Sequence, residues 1–126
     1  MSRPLPRGGG IDDMAISLAE EQRRMKRHPG IVFRDGATGR RPALEDGPQV
    51  WVLARLFREH PLDSEVAKKR AATETATWME LPFRSVLAAV RYYVDYRDEI
   101  DDWIRNLDEH SDRAEAAWRV KQGLAS

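Results

Sequence analysis

The chain has 126 residues, a third of them charged, with 21 basic and 21 acidic side chains and no cysteine. That size suits one domain with a modest core. A zero net charge argues against a purely electrostatic nucleic-acid binder, and the missing thiols exclude disulfides and thiolate metal sites. No apolar run approaches the length of a membrane span and no signal-type segment follows the N-terminus, so a soluble cytoplasmic protein is expected. The charge is uneven: residues 1–70 carry 14 basic and 10 acidic side chains, residues 71–126 carry 7 and 11.

The opening "MSRPLPRGGG" has little to bury and reads as a flexible leader. Asp12 and Asp13 are candidate caps for a helix over "MAISLAEEQRRMKR", with Met14, Leu18 and Met25 on one side. Its basic end (Arg23, Arg24, Lys26, Arg27) complements a helix C-terminus or a phosphate. Pro29 and Gly30 break that helix. "IVF", the turn signal "RDGATGRR" and "RPAL" then predict a β-hairpin, which must pack on helices to be stable. "GPQVWVLARLFREH" predicts a helix entered near Pro48, burying Val50, Leu53, Ala54 and Phe57. After Pro61, Asp63 or Ser64 caps "EVAKKRAATETATWM", whose face of Val66, Ala72, Ala76 and Met79 is only weakly apolar. "ELP" breaks it, and Pro82 opens a further helix with a stripe of Phe83, Val86, Leu87, Val90 and Val94. No proline follows, and the rest reads as helix with a restart near Ser111–Asp112, where "DRAE" has capping-box spacing.

Signals for an enzyme are weak. His28, His60 and His110 are mutually isolated, read as surface histidines, and no helical metal site is supported. No phosphate loop, dinucleotide fingerprint or nucleophile elbow occurs. Asp98, Glu99, Asp101 and Asp102 are spread around one helix, whereas a metal-dependent nuclease gathers carboxylates from several elements. No catalysis, cofactor or metal is expected.

Two helices joined by a short turn, the second with an apolar stripe, match a helix-turn-helix. In that motif the start of the second helix faces base edges and the first helix crosses the backbone. Arg84, Ser85, Ala88 and Arg91 occupy the first role, and Lys68, Lys69 and Arg70 the second. Arg40 and Arg41 on the hairpin would act as a wing. The plain alternative is a globular helix pair with solvated arginines. Further on, Ile100, Trp103, Ile104 and Leu107 repeat at helical spacing, and Ala114, Ala117 and Trp118 continue the strip. Tryptophans on a charged extension either fold back on the domain, anchor a partner, or build a homodimer.

"HPGIVFRDGATGRRPAL" and "LPFRSVLAAVRYYVDYRDEID" resemble the VapB-like antitoxins of the domain of unknown function 433 family. The paired Tyr92 and Tyr93, then Tyr96, then Glu99, Ile100 and Asp101, carry the likeness, which covers roughly residues 28–108. Arg97 stands where many members have proline, so loss of a helix break is expected there.

The resemblance implies a type II antitoxin. It would bind and neutralise a PIN-like ribonuclease toxin, masking its acidic Mg²⁺-dependent site, and would repress its own operon by binding operator DNA as a dimer or hetero-oligomer. Arg105, Arg113, Arg119 and Lys121 would then reach toward toxin carboxylates, their alternative being local ion pairs. The expected fold is mainly α. A leader and basic arm (1–27) precede a winged helix-turn-helix-like domain with a small hairpin (28–97), and a helical toxin-binding or oligomerisation extension (98–126) follows. A helix-turn-helix regulator with no toxin partner is the alternative.

Overall fold

The computed structural model describes residues 16–36 and 39–121. The proposed leader and the Asp12 and Asp13 caps lie outside them. The described chain is mainly helical, with one two-stranded antiparallel hairpin.

The first helix, α1 (Leu18–Arg27), is capped by Ser17, whose Oγ accepts from the Glu20 N–H at 3.1 Å. Of the expected apolar stripe, Met14 lies outside the described residues and Met25 packs half-buried on the core, but Leu18 is exposed, and Glu21 and Arg24 are buried instead. The hairpin follows as β1 (Ile31–Gly36) and β2 (Gly39–Leu44), paired from Ile31 opposite Leu44 out to Gly36 opposite Gly39. Ile31 and Phe33 alternate inward on β1, as period-two patterning requires. Gly30, at φ +98°, turns the chain from α1 into β1. Arg34 straps the following loop by donating to the carbonyls of Leu44 at 2.9 Å, Glu45 at 3.2 Å and Gly47.

The second helix, α2 (Val50–Phe57), buries Val50, Leu53, Ala54 and Phe57, the four positions that its spacing predicts. In α3 (Glu65–Met79) Ser64 is the cap, accepting from the Ala67 N–H at 3.0 Å. The buried face of α3 is Ala71, Ala72, Thr75 and Ala76, while Val66 is exposed. Small residues there let α3 lie close against α4 (Phe83–Asp95). Between them Glu80 takes the left-handed conformation (φ 56°), and the Glu80 and Leu81 N–H groups both bond the Ala76 carbonyl. The inner face of α4 is Val86, Leu87, Ala89, Val90, Tyr92 and Tyr93; Phe83 is exposed and Val94 half-buried. The apolar stripe is thus turned toward the tyrosine pair.

A break at Tyr96 (φ −127°) separates α4 from α5 (Arg97–Lys121). The loss of a helix break expected beside Arg97 does not occur. No restart occurs at Ser111–Asp112, and α5 is one continuous helix. The single core joins Ile31, Phe33 and Leu44 of the hairpin with α2, α3 and α4 and with Ile100 and Ile104 of α5. Each fully buried large side chain of this set contributes about 1.5–3 kcal/mol. The first turns of α5 therefore belong to the packed body, and the extension begins near Leu107 rather than at residue 98.

Candidate nucleic-acid interface and partner helix

The short turn sets α3 and α4 side by side and running in opposite directions, with Glu65 at the start of α3 beside Arg91 in the second half of α4 (2.7 Å). Arg84, Arg91 and Asp95 are exposed on α4, and Ala88, between them at helical spacing, is half-buried. The candidates for base contact on α4 are not equivalent. Arg84 is exposed and makes no ion pair among the described residues, as do Lys69 and Arg70 on α3. Arg91 is held by Glu65, whose carboxyl that bond keeps below its usual range. Lys68 also leans on Glu65, at 3.5 Å. Ser85 is half-buried, and Ala88 faces Gly30, where an added Cβ would lie 3.5 Å from the Ala88 Cβ. Ala88 is thus a spacer between α4 and the hairpin, not a base-reading side chain.

The two wing arginines are used inside the chain. Arg40 donates to Glu21 at 2.8 Å and to Asp35 at 3.5 Å. Arg41 is only 7% exposed and lies over the Trp103 ring, 3.5 Å from its centroid. One nitrogen bonds the Arg40 carbonyl at 2.7 Å; Nε and Nη2 are buried without a partner among the described residues, as is the Trp103 Nε1. Burial lowers the Arg41 pKa, so the guanidinium costs stability here and is removed from any outer DNA face.

Around the root of α5 lies a polar joint that pattern reading missed. The Arg24 guanidinium donates to Glu20 at 2.9 Å, to Glu99 at 2.9 and 3.2 Å and to the Tyr92 hydroxyl at 2.9 Å, and lies 3.9 Å from the Tyr96 ring centroid. These bonds outweigh the cost of its burial and raise its pKa. His28 is not a surface histidine: it is buried against Tyr92 and Tyr96, with Nε2 2.8 Å from Asp95. The Tyr93 hydroxyl donates to Asp101 at 2.7 Å, and Arg58 approaches the same oxygen at 3.4 Å. Burial, reinforced by the Asp101 carboxylate, pushes the Tyr93 hydroxyl up to about 12. The Glu20–Arg24 spacing was the one local sign of this joint; Glu99 and Tyr92 lie too far along the chain for any local pattern.

The expected partner-binding residues divide into two groups. Ile100, Trp103 and Ile104 are buried in the chain's own body and Leu107 is half-buried, so for them the fold-back alternative holds and not the partner-facing one. Beyond them, every residue from 109 to 121 is exposed. Trp118 is 55% exposed and Val120 67%. Arg105 pairs with Asp102, Arg113 with Glu109 at 3.8 Å and Arg119 with Glu115 at 2.8 Å, all within the helix. Arg55 of α2 pairs with Asp108, the last ion pair between body and extension among the described residues.

Two shallow grooves flank α3. One, of about 220 Å³, is lined by Leu56, His60, Glu74, Thr75 and Trp78; the other, of about 320 Å³, by Thr73, Ala76, Thr77, Leu81 and Phe83. Trp78 is 76% exposed. Among the described residues no group of three or more histidines and carboxylates is placed to share a metal ion, and no helix is long and apolar enough to cross a membrane. No family model matches the chain, and no match was found among curated proteins or solved structures.

Proposed function

We propose that the chain is an antitoxin and autorepressor: a winged helix-turn-helix-like body that contacts operator DNA, and a C-terminal helix that binds and neutralises a PIN-like ribonuclease toxin. The observation that carries this reading is the division of α5. Its root is locked into the core by Ile100, Trp103 and Ile104, while residues 109–121 stand free with Trp118 exposed. A helix with an aromatic anchor and exchangeable cations suits capture by a groove on another protein. The Arg113–Glu109 and Arg119–Glu115 pairs are exposed and worth about 0.3–0.5 kcal/mol each, so trading Glu for a toxin carboxylate costs little. The sequence likeness in residues 28–108 points to the same class.

For DNA, Lys69, Arg70 and Arg84 are the cations free of internal ion pairs on the helix pair. If Arg84 reads a base, Arg84→Ala weakens operator binding by about 1–3 kcal/mol, whereas Lys69→Ala lowers it on every sequence and flattens its salt dependence. An unchanged gel-shift titration for both variants removes this face from the DNA surface. Co-purification with the product of the neighbouring gene tests the partner: capture by the full chain and loss after truncation beyond Asp108 is the expected result.

A second reading, a helix-turn-helix regulator without a toxin, is favoured by the use of Ile100, Trp103 and Ile104 inside the chain, since those residues then need no outside partner. Operator binding without capture of any toxin would select it.

A further inference from the structure

The two helices of the pair offer very different surfaces to a DNA duplex. A helix that enters the major groove needs an open strip of side chains over several turns. The outer side of α4 has no such strip among the described residues. Gly30 is seated against Ala88 in its middle, so closely that a Cβ on the glycine would touch the Ala88 Cβ. Further along, Arg91 is held by Glu65, and Asp95 is engaged by His28 at 2.8 Å and Arg27 at 3.8 Å. What stays open and unengaged is the first turn, at Phe83 and Arg84.

The reverse holds for α3. Val66, Arg70, Thr73 and Thr77 follow one another at spacings of four, three and four, and all are exposed. They form one strip about 17 Å long, with Lys69 on its flank. The two acids of α3 lie off the strip. Glu65 is bonded by Arg91 and approached by Lys68, and Glu74 stands on the other flank, 3.7 Å from His60. The strip and its Lys69 flank therefore carry two cations and no carboxylate, which complements a phosphate-lined groove. The Thr73 hydroxyl donates to the Lys69 carbonyl at 2.8 Å, and the Thr77 hydroxyl to the Thr73 carbonyl at 2.9 Å. Both protons are spent inside the helix, and the methyl is the chief group that each threonine presents.

We infer that α3, not α4, is the helix that lies in the major groove of duplex DNA, with Arg70, Thr73 and Thr77 against base edges and Lys69 and Arg84 against phosphates. This rests on the operator-binding half of the proposed function and reverses the roles that the helix-turn-helix pattern assigns to the two helices. The chemistry names the bases. A guanidinium forks onto O6 and N7 of guanine, and a threonine methyl meets the C5-methyl of thymine. The preferred duplex holds a guanine beside thymines.

The test uses the full chain and the duplexes that it selects from a random-sequence pool. Arg70→Lys keeps the charge and loses the fork, so it is expected to cost about tenfold on a selected duplex and little on an unselected one. Thr73→Ser with Thr77→Ser is expected to cost about fourfold for each methyl removed. Uracil in place of thymine in the duplex is expected to cost the unsubstituted chain as much, and the serine pair nothing further. Arg84→Ala is expected to weaken selected and unselected duplexes alike. A sequence preference altered by Arg84→Ala or Arg91→Ala and unmoved by the α3 variants overturns the inference and leaves operator binding standing. Binding without sequence preference overturns it as well. Failure to bind any duplex removes the operator half of the proposed function along with it, and leaves toxin capture untouched.

Discussion

Replacing Arg24 with methionine isolates the polar joint that ties α1 to the root of α5. Methionine keeps most of the apolar stem and removes the guanidinium. The buried Tyr92 hydroxyl then loses its donor, which costs about 1–3 kcal/mol for a buried polar group. The Glu99 side chain is 32% exposed, so water replaces part of what it loses and its share is discounted to about 1 kcal/mol. The contact with Tyr96 adds about 0.5–1 kcal/mol. The sum is a loss of about 3 kcal/mol. With a urea slope of about 2 kcal/mol/M, the unfolding midpoint falls by about 1.5 M at unchanged slope. The double variant Arg24→Met with Tyr92→Phe removes the orphaned hydroxyl, so its loss is smaller than the two single losses added. A loss below about 1 kcal/mol for Arg24→Met, or strict additivity of the pair, would refute the claim that this guanidinium joins the two helices.

Three further outcomes follow from the same geometry. Glu80→Gly removes a side chain from the left-handed position that closes α3, and chemical denaturation should show a gain of about 0.5–1 kcal/mol. Arg41→Met should cost under about 1 kcal/mol, since it relieves two buried unpaired nitrogens while keeping contact with Trp103, whereas Arg41→Ala should cost about 2 kcal/mol or more by leaving a cavity there. The Tyr93 hydroxyl titrates near 12 in the fold and near 10.0 in the unfolded chain, so the unfolded state gives up its proton first. Its contribution is whole below pH 10 and lost as pH rises toward 12; urea titrations across that window should show falling stability, less steeply in Tyr93→Phe.

Much of the fold was legible because local chemistry set it. The stripe of α2, the Ser64 cap, the "ELP" turn and the hairpin around "RDGATG" follow from spacing and turn residues within a few positions of one another. The errors share another origin. Arg24, His28 and Arg41 read as surface cations or helix-end charges because hydropathy gives no sign of burial when the partner is distant. Arg24 meets Tyr92 and Glu99 across 68 and 75 residues. Trp103 looked free for a partner for the same reason, its cover being Arg41 on β2. The expected restart at Ser111 failed because "DRAE" has capping spacing but no residue that breaks the preceding helix. At the candidate site, charge alone made Arg84 and Arg91 alike; Glu65, brought in by α3, makes them different.

Growth is the most direct test of the proposed antitoxin. The product of the neighbouring gene, which this proposal requires to be a PIN-like ribonuclease, is expressed until it arrests its host, and the chain is supplied with it in three forms. The account predicts rescue by the full chain, and none by Trp118→Glu or by a chain ending at Asp108, although both still fold. Failure of the full chain to rescue, or equal rescue by the shortened one, would contradict it.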